Sequence, residues 1–306
     1  MTLFAPISEG RDDCKAGEAP ARSRASLSRV NTTAASAPSD APLASTRIGE
    51  GSRRVAFLHG LMGRGRNFTG PAKELGDDFT VELIDLPDHG ASPWTDRVDY
   101  REIADRVAAH LRGGLAADGP VHLLGHSMGG KVAMVLALRH PELVDRLIVE
   151  DISPRLSPQA TDEFVHLLGT MLRMDLDAYD SRAEADAAMA EHVHDARVRG
   201  FLLQNLRRTA GHFAWQPNVA MLFEHLREIG SFPDPVVPED PERVFDHPVL
   251  WLAGAESDYV QDEDVPRMKE LFPRVVRVTV RDAGHWLHAD QPEAFVSAVR
   301  TFLTAD

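Results

Sequence analysis

The stretch Val121-His-Leu-Leu-Gly-His-Ser127-Met-Gly-Gly130 decides the fold of this chain. It begins as a β-rich apolar strand, and residues 131–139 after it are packed with helix formers. The glycines at 125, 129 and 130 allow the strand and helix backbones to come close together at the turn between them. The G-x-S-x-G pattern in this setting predicts a sharp elbow that presents the Ser127 hydroxyl as a nucleophile.

Length and composition exclude several classes of protein. The chain has 306 residues, enough for a large core, and a formal net charge of -14. Because nucleic acids and anionic membranes are bound by clustered Lys and Arg, this excess of acids argues against both as partners. The only cysteine is Cys14, so an internal disulfide and a thiolate metal cage are excluded. The composition is compatible with a reducing compartment, and we expect the cytoplasm.

The N-terminal residues 1–42 have the composition of a disordered tail. They are rich in Ala, Ser, Pro, Arg and Asp, without hydrophobic periodicity, and lack the apolar core of a secretory signal. Residues 21–37 are faintly similar to an organelle transit peptide, but acidic residues precede them. No stretch approaches the roughly 20 apolar residues of a membrane span. We therefore expect a disordered tail and no membrane span.

From residue 43 onward, short β-rich runs alternate with helical patterns, which is typical of a parallel sheet covered on both faces. The predicted strands are residues 43–48, 55–59, 80–86, 121–124, 146–151, 248–253 and 275–280. The predicted helices between and after them are residues 69–75, 100–111, 131–139, 264–272 and 292–303. These patterns predict an α/β fold with a mostly parallel central sheet, built from residues 43–152 and 247–306.

Residues 153–246 interrupt this alternation with helical patterns only. Ser157 before Pro158 predicts the start of one helix, and Ser181 with Glu184 forms the capping box of a second. Two more helices are predicted around residues 198–206 and 219–226. The insertion follows the carboxyl edge of the sheet, where open α/β sheets bind ligands. We therefore predict a purely helical cap over the site.

Large apolar side chains of the insertion are candidates for an acyl pocket. Met171, Phe213 and Trp215 are predicted to line it, and Met174, Met221 and Phe223 are further candidates. At least half of these six side chains are expected to pack inside the cap instead.

A serine nucleophile needs a base, a group that orients the base, and donors for the oxyanion. His285 follows the strand predicted at 275–280, on a glycine-containing loop from which an imidazole can reach Ser127. We predict that His285 is the base. His126 is expected to pack behind the elbow, and His288 to be structural.

The oxyanion hole needs two backbone N–H groups, one from the residue after the nucleophile and one from a loop after an early strand. Met128 supplies the first. The run Val55-Ala-Phe-Leu-His-Gly-Leu-Met-Gly63 supplies the loop, and we expect the Leu61 amide to face Ser127. His59 is expected to brace this loop by hydrogen bonding.

The residues themselves leave the orienting acid open. Gly254-Ala-Glu-Ser257-Asp258 has serine at the G-x-x-D spacing and aspartate one place later. One strand earlier, Asp151 ends an apolar run that begins at Leu147. Both Asp151 and Asp258 stand at the carboxyl end of a predicted strand, and either could reach the imidazole.

The sequence lacks the motifs that bind catalytic zinc or a dinucleotide cofactor. It contains no H-E-x-x-H, and His192 with His194 is interpreted as an exposed helix end. No G-x-G-x-x-G follows the first strand. We expect no metal and no other cofactor.

With these motifs, residues 43–303 resemble the α/β-hydrolase superfamily, most closely the group of small bacterial acyl-ester hydrolases and mitochondrial abhydrolase-domain-eleven proteins. Beside the elbow and the loop at 59–61, the likeness rests on residues 85–93, 151–154, 198–206, 213–218, 257–260, 271–273 and 283–292. It implies the α/β-hydrolase fold with a cap. In this group the acid role is thought to belong to the aspartate of the D-I-S-P segment. The resemblance thus implies Asp151 as the acid and Ser257 as an auxiliary hydrogen-bonding residue, with Asp258 as the alternative acid.

Motifs and resemblance together predict a carboxylic-ester hydrolase that forms an acyl-enzyme on Ser127 with small to medium acyl esters. An acyl-CoA thioesterase would use the same residues beneath a basic cap rim, for which Arg197, Arg199, Arg207 and Arg208 are candidates. A C–C bond hydrolase, a perhydrolase and a non-catalytic ligand-binding receptor share the fold. The expected partner is a small-molecule ester or thioester, and the oligomeric state is left open.

Overall fold

The computed structural model of this chain describes residues 41–156 and 158–305. The predicted disordered tail lies outside these residues except for positions 41 and 42, and the predicted cap residue Ser157 also lies outside them. The strands of the central sheet are β1 (Ser45–Ile48), β2 (Arg53–Leu58), β3 (Phe79–Ile84), β4 (Val121–His126), β5 (Val144–Glu150), β8 (Val249–Gly254) and β9 (Val275–Val280). A separate hairpin contains β6 (Leu206–Thr209) and β7 (His212–Trp215).

Helices cover both faces of the central sheet. Those of the core are α1 (Thr69–Leu75), α2 (Tyr100–Arg112), α3 (Met128–Arg139), α9 (Val265–Leu271), α10 (Leu287–Asp290) and α11 (Pro292–Thr304). The insertion between β5 and β8 contains α4 (Pro158–Arg173), α5 (Arg182–Ala190), α6 (Ala196–Leu203), α7 (Val219–Glu224) and α8 (Leu226–Gly230).

The sheet has 7 strands in the order β1-β3-β2-β4-β5-β8-β9. All neighbouring pairs are parallel except β1 with β3. The predicted α/β class with a mostly parallel sheet is therefore confirmed. In this order β4 and β5 are central and β8 and β9 follow on one side, so the carboxyl ends of these strands meet at one edge of the sheet.

Strand β2 shows how the two cores are separated. Ala56 and Leu58 belong to the core that contains α2 and α3, whereas Val55 and Phe57 belong to the core that contains α1 and α11. Side chains alternate between the two faces of a strand, so a strand buried on both faces must be apolar throughout. This explains the continuous apolar runs of the sequence.

The prediction of a purely helical insertion is wrong at the β6–β7 hairpin. The predicted helix at 198–206 ends at Leu203, and β6 pairs antiparallel with β7. Ala210 and Gly211 connect the strands with φ of 51° and 91°. Two successive residues with positive φ make the tight turn that matches the twist of a hairpin. Among the residues described, no helix is both long and apolar enough to cross a membrane.

Candidate active site

The turn after β4 holds Ser127 in a strained conformation. Its φ is 52° and its ψ is -120°, a region that residues other than glycine rarely adopt. A Cβ atom at Gly129 would lie 2.4 Å from the Leu58 carbonyl oxygen, and one at Gly125 would lie 2.2 Å from the Gly129 oxygen. The Ser127 amide donates to the carbonyl of Glu150, 3.0 Å away. The close backbone contacts predicted from the glycines therefore exist, and they form a sharp elbow.

A buried carboxylate stands beside the imidazole of His285. Asp151 follows β5 with no exposed surface, and its Oδ2 lies 2.8 Å from His285 Nδ1. The Gly254 amide donates to the other carboxylate oxygen at 2.9 Å, and the Ser257 hydroxyl donates to Oδ2. These two donors fix the carboxylate. Because a carboxylate oxygen accepts, the contact with Asp151 requires the proton of His285 on Nδ1. The remaining nitrogen, Nε2, is left to accept a proton.

The structure does not bring Asp258 to this imidazole. Asp258 lies exposed on the loop after β8, and its backbone oxygen accepts from the Gln261 side chain at 3.0 Å. Its neighbour Ser257 points to Asp151 instead. Of the two acids that the sequence left open, Asp151 is the one in contact with His285.

Two further rings hold His285. Tyr259 stacks on it with a centroid distance of 3.8 Å and an interplanar angle of 19°. Nε2 of His126 lies 2.8 Å from the His285 carbonyl oxygen, and its ring is buried but lines the same cavity as Ser127 instead of packing behind the elbow. The sequence reasoning assigned no role to Tyr259, although it follows Ser257 by two residues. These contacts restrict the orientation of the imidazole.

The predicted oxyanion loop follows β2. Met128 is the first residue of α3, so its amide is one of those that a helix leaves without an intrahelical acceptor. Within the described residues, the Leu61 amide also has no acceptor. A Cβ atom at Gly60 would lie 3.1 Å from the Ser127 Cβ, so the loop passes directly over Ser127. Both predicted amides are therefore available beside Ser127.

Neutral histidines brace this loop. His59 Nε2 accepts from the Leu86 amide at 3.0 Å, while Nδ1 contacts the Gly60 carbonyl at 2.8 Å. His89 Nε2 accepts from the Met62 amide at 3.1 Å. Burial lowers the pKa of His59 to about 3, so its ring stays neutral and can accept this bond. The bracing role predicted for His59 agrees with these contacts.

Ser127 and His285 line one cavity of about 690 Å³ below the cap. Its apolar wall is made by Leu61, Phe164, Leu167, Val198, Phe201 and Trp286. The predicted pocket residues Met171, Phe213 and Trp215 are not among the described residues that line it. The Trp215 indole donates to the Met171 carbonyl at 3.1 Å, and Phe213 packs against the Arg208 guanidinium. These side chains connect cap elements to one another, so the prediction of an acyl pocket there is corrected.

The walls of this cavity are acidic. The carboxylates that line it are Glu163, Glu256, Asp282 and Asp290. Arg197 is the basic residue among the described lining residues, and it contacts Asp290 at 2.5 Å. Of the other arginines proposed for a basic rim, Arg199 contacts Asp186 at 2.8 Å. Arg207 and Arg208 donate to the carbonyls of Gln204 and Gly211. The structure therefore forms no basic rim from these arginines.

Lys131 joins the cap to the elbow helix. Its side chain is buried in α3, and its ammonium donates to the carbonyls of Gly230 at 2.6 Å and Ser231 at 2.8 Å. These carbonyls end α8, where a helix leaves its last acceptors unpaired. Burial and the nearby Arg155 lower the pKa of Lys131 to about 7.

The stability contribution of Lys131 should therefore depend on pH. Between about pH 7 and pH 10 the unfolded chain binds the Lys131 proton and the folded chain does not, so stability rises with pH. We expect the parent to gain up to about 1.4 kcal/mol per pH unit in this window relative to Lys131→Met. Urea unfolding of both proteins at several pH values measures this difference. A difference that stays constant from pH 6 to pH 10 would contradict the assignment.

Comparisons with known proteins agree with this architecture. The sequence model of the "Alpha/beta hydrolase family" matches residues 55–298. The sn-1-specific diacylglycerol lipase ABHD11 of Danio rerio is 36% identical over 257 residues, which are 82% of this chain and 78% of that protein. Esterase YbfF of Escherichia coli is 28% identical over 252 residues, 81% of this chain and 92% of that protein. The solved structure of a marine microorganism esterase superposes with a TM-score of 0.80 at 33% identity and covers 85% of this chain and 99% of that chain.

Proposed function

Because this chain belongs to the alpha/beta hydrolase family, whose relatives named above are esterases and lipases, we propose that it cleaves carboxylic esters through an acyl-enzyme on Ser127. One observation carries the proposal. His285 lines the same cavity as Ser127 of the strained elbow, and the buried Asp151 contacts it from behind, with Oδ2 and Nδ1 2.8 Å apart. A nucleophile, a base and an orienting acid are thereby brought together.

In the first half of the reaction, Ser127 Oγ attacks the acyl carbon while His285 Nε2 takes its proton. Asp151 keeps the proton of His285 on Nδ1 and stabilises the imidazolium that forms. The amides of Leu61 and Met128 donate to the oxyanion of the tetrahedral intermediate. The intermediate collapses when the bond between the acyl carbon and the ester oxygen breaks, and His285 returns the proton to that oxygen as the alcohol leaves.

In the second half, water replaces the alcohol. His285 takes a proton from the water as it attacks the acyl carbon, and the same two amides bind the second oxyanion. Ser127 leaves with the proton from His285, and a carboxylic acid is released. No cofactor enters this sequence of steps.

The cavity favours uncharged esters with small to medium acyl chains. Its volume of about 690 Å³ and its apolar wall accommodate a short hydrocarbon chain. The name of the Danio rerio relative, a diacylglycerol lipase, agrees with an uncharged lipid ester. Carboxylates such as Glu163 and Glu256 on the wall repel a polyanionic leaving group. This charge distribution argues against coenzyme A thioesters, the main alternative to esters.

We expect kcat/KM for a neutral hexanoyl ester to exceed that for hexanoyl-CoA by at least about tenfold at low salt, since like-charge repulsion slows encounter. The hexanoyl thioester of N-acetylcysteamine has a thioester bond but no charge. It should be hydrolysed well, which would show that the charge of coenzyme A and not the thioester bond slows the reaction. The Glu256→Gln variant and added salt should both reduce the difference in kcat/KM between the neutral ester and hexanoyl-CoA. Equal or faster turnover of hexanoyl-CoA at low salt would contradict the assigned substrate class.

A further inference from the structure

A second buried cluster lies next to the proposed triad, with the rings of His126 and His285 4.7 Å apart between centroids. It consists of His126, Glu150 and His288, and one ligand atom from each lies within 4.8 Å of the others. Glu150 and His126 are buried, and the His288 side chain is 10% exposed. Two of these residues immediately precede proposed catalytic residues in the chain, His126 before Ser127 and Glu150 before Asp151.

Glu150 is only partly satisfied by the protein. Its Oε1 accepts from the His288 amide at 3.1 Å and lies 2.8 Å from His288 Nδ1. Its Oε2 is buried without a hydrogen-bond partner in the described part of the chain. A buried carboxylate oxygen with no donor costs free energy unless another ligand satisfies it. A metal ion bound beside Oε2 would accept its electron pair and remove this cost in free energy.

We propose that His126, Glu150 and His288 bind a transition-metal ion of the Zn²⁺ class and that this ion inhibits the reaction at Ser127. Two imidazoles and one carboxylate are a ligand set that Zn²⁺ uses in proteins, whereas Mg²⁺ and Ca²⁺ prefer oxygen ligands. Ligands of a tetrahedral Zn²⁺ lie roughly 3.3 Å apart, so the side chains must close by up to about 1.5 Å. Rotation of the Glu150 and His288 side chains can provide this movement.

An ion can reach the cluster from the cavities on either side. His126 lines the cavity that contains Ser127. His288 lines a neighbouring cavity of about 920 Å³, and both cavities share Phe201 and Trp286 as lining residues. The site is therefore buried but lies next to open space.

Coupling to the triad follows from contacts that are already present. His126 contacts the His285 carbonyl through Nε2, and the Glu150 carbonyl accepts from the Ser127 amide. Coordination that moves the His126 ring or the Glu150 side chain shifts the segments that carry the base and the nucleophile. Because small displacements of catalytic groups reduce rates strongly, an occupied site inhibits.

Binding is tested without activity in the full-length Ser127→Ala protein. Titration with Zn²⁺ against a chromophoric chelator should show one ion per chain, and Co²⁺ should give the visible absorption of a four-coordinate site. His288→Gln keeps a donor for Glu150 and should weaken Zn²⁺ binding by at least about thirtyfold. The matched control is removal of the exposed pair, His192→Ala with His194→Ala, which should bind like the parent. No bound Zn²⁺, or equal binding after His288→Gln, overturns the site.

The inhibitory effect rests on the proposed function and is tested separately from binding, by measuring ester hydrolysis. Zn²⁺ should inhibit ester hydrolysis by the parent, and a chelator should restore it. Hydrolysis by His288→Gln should resist the same Zn²⁺ concentration, which distinguishes this site from direct binding to His285. If Zn²⁺ inhibits both proteins equally, the coupling through His288 is overturned. If Ser127→Ala binds Zn²⁺ but the parent hydrolyses no ester, the proposed function fails and the metal site stands.

Discussion

Ser127→Ala is expected to reduce ester hydrolysis by a factor on the order of 10⁶, the size of loss seen when the nucleophile is removed from a serine hydrolase. The alanine removes the oxygen that forms the acyl-enzyme and leaves His285 without a proton to take. Covalent labelling by a fluorophosphonate should disappear at the same time. Mass mapping of the labelled peptide in the parent checks the assignment directly.

Ser257→Ala serves as the matched control for this experiment. Ser257 is close to the triad through its bond to Asp151 but does not stand at the elbow. This variant should still be labelled at Ser127, at a reduced rate. Persistence of the label in Ser127→Ala, at any other serine, would show that the nucleophile has been misassigned.

Asp151→Asn should lower kcat by about 10⁴ with the fold intact. An amide in place of the carboxylate stabilises the wrong tautomer of His285, and a serine protease loses about this much by the same change. Asp151 has a φ of 49°, and asparagine tolerates this left-handed region well, so the backbone need not move. Kinetics with a neutral ester, together with circular dichroism and thermal unfolding, measure both parts of the expectation.

The Asp258→Asn variant tests whether the loss of activity is specific to Asp151. The Asp258 side chain is exposed and lies away from the imidazole, so activity should fall by less than about tenfold. If Asp258→Asn were the more damaging change in folded protein, the acid would have to be moved to Asp258. In that case the contact between Asp151 and His285 would be structural only.

The sequence was most informative where local sterics determine the backbone. The elbow could be predicted because the turn is too crowded for side chains. A Cβ at position 125 would meet the start of α3, one at 129 would meet the end of β2, and one at 130 would meet Ile152, so glycines stand there. The parallel sheet could be predicted because strands buried on both faces must be apolar throughout. Both signals depend on residues that are neighbours in the chain.

Contacts between distant segments could not be predicted in this way. The choice between Asp151 and Asp258 depends on how loops from two strands meet. The apolar strand before Asp151, the serine at position 257 and the resemblance favoured Asp151, but none of them fixes the contact with the imidazole. The contact between Glu150 and His288 joins residues 138 positions apart and has no local signature. Phe164 and Met171 are both large apolar residues of α4, yet the first lines the cavity and the second packs inside the cap. Periodicity identifies a buried face but not the neighbour that covers it.

The order of the strands also determines when this site becomes complete as the chain folds. Ser127 follows the central strand β4, whereas His285 follows β9 at the border of the sheet. The contact between Asp151 and His285 closes a loop of 134 residues, and contacts across long loops form slowly because closure costs entropy. A partly folded chain can therefore possess the strained elbow while its serine remains chemically unreactive. We therefore expect hydrolytic activity only after β9 has docked beside β8.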